Sequence, residues 1–355
     1  MNSPLRICII ASSRFPVAEP FAGGLEAQTH QLASELIKRG HQVTLFAGPG
    51  SNPDLGTELL SAVPFTATTA ARNDVAAWPV EWMSEHHAYL GLMLELANSG
   101  AARFDVVHNN SLHHLPIAMA SAVSVPMLTT LHTPPIPWLE SAMSFVNATS
   151  VFASVSSATS RAWSESVSSR VVYNGIDTDQ WVAGPGGGPA VWFGRIVPEK
   201  GPHLAIRAAK ASGIPLDLAG PIGDTGYFER EVEPLLDDHT RYLGHLSHSE
   251  LVPLVGSASV AVVTPRWDEP YGLVAAEAMS CGTPVAGFLR GALGELVPPE
   301  AGRLARADDV ADLARAMIEA RNLDRTAVRA HAVDFCSVAT MTDAYEDLYR
   351  EMAGR

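Results

Sequence analysis

Two carboxylates and two cations are spaced for work on a hydroxyl-rich anion. Glu269 and Glu277 belong to one stretch, Arg266 to Gly282, which opens as a polar and aromatic loop and becomes an apolar helical pattern. Pro270 suits the first helical turn, where its missing N–H has no partner to lose. Gly282, ahead of Thr283-Pro284, suits the residue after the last turn. Glu269 is therefore expected at the mouth of a helix, and Glu277 about two turns inside it. A carboxylate among Ala275, Ala276, Ala278 and Met279 is costly unless something binds it. It suits a structural ion pair, or a ligand rich in hydroxyls with free helix amides for its anionic part. The cations are Arg195 and Lys200, on either side of a strand-to-helix turn. Lysine is scarce: Lys38, Lys200 and Lys210 are the only three. The pair suits a diphosphate, the guanidinium as a fork and the ammonium as a point charge. The plain alternative is two solvated surface charges.

The elements that must hold these groups read as two α/β series. Ile7-Cys8-Ile9-Ile10 is an apolar run typical of a strand buried on both faces. A loop through Gly23 and Gly24 follows, then a helix from Leu25 to Lys38 and a strand at His41–Phe46. Glycines at a helix N-terminus let backbone amides approach a ligand closely. No G-x-G-x-x-G occurs, so a dinucleotide fingerprint is absent. Further strands are expected at 104–108 and 125–132, each ending in a histidine, His108 and His132. In open α/β sheets ligands sit beyond such strand ends, which makes both histidines site candidates. A histidine satisfied by a neighbouring carbonyl is the ordinary alternative. Residues 51–84 are poor in pattern. Asp177-Thr178-Asp179 is formally a metal-binding D-x-D, but reads better as a loop capping itself. Gly184-Pro185-Gly186-Gly187-Gly188 reads as a linker. A second series starts at Ala190, with a helix from Pro202 to Ala211 and strands at 215–219, 241–243, 259–263 and 283–287. The expected organisation is residues 1–183, a linker at 184–188, a second domain at 189–336, and a C-terminal helix, 337–355, packing back on the first domain. Each half is Rossmann-like, and the two are expected to face across a cleft.

The chain has 355 residues, 47% hydrophobic and 17% charged, so two well-filled cores are affordable and disorder is not expected. A formal net charge of -14 with no basic run disfavours nucleic acid and anionic bilayers as partners. Three cysteines without framework spacing point to a reducing compartment. With no leader-like start and no run long enough to span a bilayer, a cytoplasmic protein without an integral membrane segment is expected.

Taken together, these residues resemble a known family. Tyr173-Asn174-Gly175-Ile176-Asp177, Phe193-Gly194-Arg195 with Glu199-Lys200-Gly201, Glu269-Pro270-Tyr271-Gly272 through Glu277-Ala278-Met279, and Gly282-Thr283-Pro284-Val285 look like family 4 of the retaining glycosyltransferases, of GT-B fold. The Gly23-Gly24-Leu25-Glu26 opening agrees. The resemblance implies a hexosyltransferase that moves a sugar from a nucleoside diphosphate sugar, most often a UDP-sugar, with retained anomeric configuration. It implies that Glu269 binds donor-sugar hydroxyls, Glu277 the ribose hydroxyls, and Arg195 and Lys200 the diphosphate. Amides at Gly23, Gly24, Gly272 and Leu273 would assist, Tyr271 would contact the donor, and His132 would sit at the reacting centre. No metal and no other cofactor is implied. Tyr271 stands where phenylalanine is more usual. The acceptor is not legible; its side is expected to include His108 and Asn109, within a lining drawn from 12–21, 108–114 and 51–84. Oligomeric state is not legible either. A sugar-nucleotide 2-epimerase, or a non-catalytic sugar-nucleotide-binding protein, would use the same fold.

Overall fold

The computed structural model describes residues 3–60, 65–76, 78–146 and 150–355. Residues 61–64 and 77 of the pattern-poor 51–84 segment lie outside the described residues. The chain forms two compact units. Unit 1 comprises Met1–Val155, Thr159–Val172 and Thr342–Arg355, and unit 2 comprises Ser156–Ala158 and Tyr173–Met341.

Among its described residues, unit 1 carries a seven-stranded parallel sheet. Its strands are β1 (Arg6–Ile10), β2 (Gln42–Ala47), β3 (Thr57–Leu59), β4 (Val106–Asn109), β5 (Met127–Leu131), β6 (Val151–Ser154) and β7 (Arg170–Val171), in the order β3-β2-β1-β4-β5-β6-β7. Ile7 pairs in register with Val43 on one side and Val106 on the other. Strand β1 is thus central, and its Ile7, Cys8, Ile9 and Ile10 are wholly buried, as an apolar run without alternation requires. The helix Val80–Arg103 covers one face, packing Leu92, Met93 and Leu96 against Cys8, Ile10 and Val107. Each such side chain contributes about 1.5–3 kcal/mol on full burial. That helix is longer than the His87–Ala97 pattern, reaching back to Val80 and on to Arg103, where charged residues and Gly100 interrupt the apolar spacing.

In unit 2 the described residues form a six-stranded parallel sheet. Its strands are β8 (Ala190–Phe193), β9 (Leu216–Ala219), β10 (Thr240–Tyr242), β11 (Ala261–Val263), β12 (Val285–Phe288) and β13 (Gly302–Ala305), in the order β10-β9-β8-β11-β12-β13. The helices Pro202–Ser212 and Val310–Ala320 bury Leu204, Ile206, Leu313 and Met317 with Trp192, Leu216 and Phe288. In both units the first strand lies beside the fourth. The strand order reverses there, opening a crevice at the carboxyl ends.

Two boundaries differ from the sequence reading. The change of unit falls at Val172/Tyr173, and the glycine run lies inside unit 2. Gly184, Gly186 and Gly188 donate their N–H groups to Cys281 O (3.1 Å), Gly256 O (3.0 Å) and Ser257 O (2.8 Å). The Arg325 guanidinium adds bonds to Gly256 O (2.7 Å) and Ala258 O (3.0 Å). Backbone groups fixed this way make a strap on unit 2. The end of the C-terminal helix Val338–Ala353 belongs to unit 1. There Glu346 lies 2.6 Å from His41 Nε2, and Tyr345 and Tyr349 are wholly buried. Among the described residues no helix is long and apolar enough to cross a membrane.

Candidate active site

The four charged residues singled out by spacing all lie in unit 2, on loops leaving the carboxyl ends of adjacent strands. Arg195 and Lys200 follow β8, and Glu269 follows β11. Thr264 ties the two loops together: its hydroxyl lies 2.9 Å from Lys200 O and accepts from Trp192 Nε1 at 3.1 Å. Arg266 N–H donates to Glu199 O at 2.8 Å. On this frame Lys200 Nζ donates to both oxygens of Glu269, at 2.7 and 3.0 Å. Trp267 Nε1 donates to the same carboxylate at 3.0 Å, and the ammonium lies 5.5 Å from the centre of the indole. Lys200 and Glu269 are therefore partners in the ligand-free chain, with charge balanced before any substrate arrives. The backbone of Glu269 is held from behind. Ala292 N–H donates to Glu269 O at 2.8 Å, and a Cβ on Gly291 (φ 54°) would lie 2.2 Å from that oxygen.

Arg195 and Glu277 are the opposite case. Among the described residues neither side chain has a hydrogen-bond or ion-pair partner; the stem of Arg195 packs over Gly223 and its head is exposed. Glu277 is half-buried, and burial raises its carboxyl to about 7. It lies on the helix Leu273–Ser280. That helix begins three residues later than Pro270 suggests, because Gly272 takes φ 103°, a left-handed conformation that ends helical geometry. A Cβ there would also meet Leu293 Cδ2 at 2.9 Å. Glu277 thus sits a little over one turn inside, not two. The first amides, at Leu273 and Val274, have no intrahelical acceptor and form an anion-favouring end.

Tyr271 is corrected. Its side chain is 2% exposed, beside Tyr173 at 6.4 Å between ring centres, and burial with Cys336 nearby pushes its phenol well up. The ring is a core residue, leaving only backbone to meet a donor. Asp177 Oδ1 accepts from Asp179 N (3.0 Å) and Gln180 N (3.2 Å), the self-capping geometry expected of that loop.

In unit 1, Gly23 is exposed and extended, and the helix Gly24–Lys38 starts directly after it. His132 follows β5; its Nε2 meets Asn110 Oδ1 at 2.7 Å. Asn110 Nδ2 in turn donates to Gln28 Oε1 at 3.0 Å on the first helix, so the His132 nitrogen is the donor and Nδ1 is left to accept. Burial lowers His132 to about 3, so the ring is neutral at physiological pH. His108 and Asn109 are corrected as acceptor contacts, because both are wholly buried. The His108 nitrogens meet Tyr349 OH (2.6 Å) and Thr130 Oγ1 (2.7 Å). Asn109 Oδ1 accepts from Ser111 N–H (3.1 Å) and hydroxyl (2.7 Å). Strand β4 lies between β1 and β5, and Tyr345 and Tyr349 of the C-terminal helix cover His108, while Asn109 turns to the opposite face. The sequence singles out neither Trp267, Asn110 nor Gly291 by a role of its own. Trp267 stood inside the motif and Asn110 inside the 108–114 stretch expected on the acceptor side, but nothing in one sequence marks Gly291.

Two family profiles match the chain. One, "Glycosyltransferase Family 4", covers residues 22–180, and "Glycosyl transferases group 1" covers 189–331. Glycogen synthase of Mycobacterium tuberculosis is 30% identical, over 88% of this chain and 85% of that protein. The chain belongs to glycosyltransferase family 4. This glycosyltransferase is also similar to the D-inositol 3-phosphate glycosyltransferase of Mycolicibacterium smegmatis, 25% identical over 92% of this chain and 85% of that one. Among solved structures, sucrose-phosphate synthase from Thermosynechococcus elongatus matches with a TM-score of 0.78 at 22% identity, covering 98% of this chain and 99% of that chain. Anabaena HepE, solved with UDP and glucose, matches with a TM-score of 0.75 at 18% identity, covering 98% and 100%. The fold is GT-B, and the glycosyltransferase is an enzyme of the hexosyltransferase class.

Proposed function

We propose that this glycosyltransferase uses a nucleoside diphosphate hexose, with uridine as the base, and transfers the hexose with retained configuration to a hydroxyl-bearing acceptor. The observation that carries the reading is the pair of unspent charges in unit 2. Arg195 has a free fork beside one strand end. Glu277 has a half-buried carboxylate with no partner among the described residues, on the helix that follows the neighbouring strand. An exposed arginine suits a diphosphate, and a carboxylate in a partly dry site suits two ribose hydroxyls. The UDP and glucose of the HepE complex support the choice of uridine.

In the step we propose, the acceptor oxygen attacks C1 of the hexose on the side the diphosphate leaves from. The C1–O bond breaks with its electron pair on the phosphate, and that oxygen takes the acceptor's proton. Charge grows on the leaving group, so Arg195 and Lys200 contribute most as the bond breaks. We assign Glu269, steadied by Trp267, to the hexose hydroxyls. His132, neutral with Nδ1 as acceptor, takes a hydroxyl hydrogen bond near the reacting carbon. The amides of Gly23, Gly24, Gly272 and Leu273 meet anionic oxygens, and no metal is required.

The test is proton NMR of the purified chain with UDP-glucose, with and without acceptor. The reading expects an α-linked product from the α-donor. A β-product would end same-side attack, and an epimerised donor without acceptor would replace transfer by 2-epimerase chemistry.

A further inference from the structure

Unit 1 carries a second constellation, which the donor chemistry does not use. Trp82 and His86 lie one turn apart on one face at the start of the helix Val80–Arg103, and Trp78 stands just before its N-cap Pro79. Trp78 stacks on Trp82 at 5.0 Å (27°), and Trp82 on His86 at 5.4 Å (12°). His86 lies 6.0 Å from His114 (30°), and His114 stacks on Trp138 at 4.9 Å (28°). The rings close on themselves, since Trp138 is 6.2 Å from Trp82. Two of these indoles are more than half exposed, Trp78 at 57% and Trp138 at 52%, whereas Trp163 of the same unit is wholly buried. Leaving large aromatic faces in water is unfavourable and marks a surface that expects a partner.

The position agrees. His114 follows β4, Trp138 follows β5, and the helix starts after β3, so all the rings sit at the carboxyl edge of the sheet. We propose that Trp82, Trp138, His86 and His114 form a stacking platform for a neutral saccharide, the acceptor of the reaction. This deepens the proposed function and rests on it.

Three observations choose this occupant. The face of an indole is electron-rich and attracts the C–H face of a sugar ring, while imidazole nitrogens between the indoles meet hydroxyls. Among the described residues His86 Nδ1 is buried with no hydrogen-bond partner, an unmet group that a hydroxyl would satisfy. Burial, with repulsion between neighbouring imidazoles, lowers both His113 and His114, so these two rings add no charge at neutral pH that would select an anion. A metal is the rival, since ligand nitrogens of His86, His113 and His114 lie within 4.8 Å of one another. But His113 Nδ1 already accepts from Leu115 N–H at 3.2 Å, so its Nε2 carries the proton and the ring offers no lone pair. Two imidazoles remain, short of a structural zinc set.

The experiment follows tryptophan fluorescence of the full chain during titration with maltoheptaose, beside a neutral-glycan array and a zinc titration. Saturable saccharide binding is expected, weakened about tenfold or more by Trp82→Ala and by Trp138→Ala, the effect of truncating a central aromatic contact. Trp138→Phe should keep binding within about threefold. UDP affinity by calorimetry should match the unsubstituted chain in each variant, which shows that it is folded. No binding to any neutral glycan, equal binding by the alanine variants, or a fluorescence change driven by zinc alone would each overturn the platform. If the chain binds glycan here but neither binds UDP nor transfers, the functional reading fails and the platform stands.

Discussion

Two sheets of one topology end in opposite chemistry. At the carboxyl edge of unit 2 stand charges, one pair already matched, Lys200 with Glu269, and two groups, Arg195 and Glu277, unmatched among the described residues. At the carboxyl edge of unit 1 stand neutral rings: His132 held to about 3 by burial, and the stacked histidines and indoles beyond β4 and β5. Strand order thus supplies a place, and the loops supply the chemistry. A charged edge suits a diphosphate that gains charge as it leaves. A neutral edge suits hydroxyls, which must be oriented without being repelled.

Removing one cation should do the most damage, and it does so at the charged edge. Arg195→Ala should lower kcat by about 10²-fold or more, the scale for one preset charge-stabilising donor. Its melting temperature should hold, because the head is exposed and unpaired; an unchanged kcat would remove Arg195 from the chemistry. Next, Glu277→Ala should weaken UDP binding by roughly 1.5–3 kcal/mol, the range for hydrogen bonds to a charged group. Wild-type affinity in a calorimetric titration would refute the ribose role. On the other edge, the two strand-end histidines should separate. His108→Ala strands the hydroxyls of Thr130 and Tyr349 in the core and should cost about 2 kcal/mol of stability by denaturant melting, with UDP affinity kept. His132→Ala should lower kcat with little change in melting. If both lose only stability, the distinction collapses.

Those two histidines also show how far the sequence reaches. Each ends an apolar run, so the runs predicted both strands and both strand ends. What sets them apart is the C-terminal helix, whose Tyr345 and Tyr349 come from far along the chain to bury His108. The same holds for the charges. Their place on strand-to-helix turns was legible, because apolar runs of β8 and β11 and the glycines after them are local signals. That Lys200 is spent on Glu269 was not, since the bond joins two loops. The edge strands β3 and β13 carry Glu58 and Arg303 in place of an apolar run and gave no strand pattern. The glycine run looked like a linker because its fixing partners, Gly256, Ser257 and Cys281, are distant in sequence.

In the proposed reaction the half-buried Glu277 carboxylate of unit 2, without a partner among the described residues, receives the nucleotide. Ribose hydroxyls donate to the ionised form, so binding favours loss of the proton. With Glu277 near 7 in the free chain, UDP affinity should fall about tenfold from pH 8 to pH 6. The same raised value means that the folded state loses stability as pH rises from the ordinary carboxylate range through 7, so Glu277→Gln should melt higher at pH 8. The direct measurement is UDP affinity by calorimetry at pH 8 and pH 6 in the native chain and in Glu277→Gln. The native chain should show the tenfold fall beyond whatever fall the variant shows. Equal pH slopes in the two chains, with equal affinity at pH 8, would remove Glu277 from nucleotide binding.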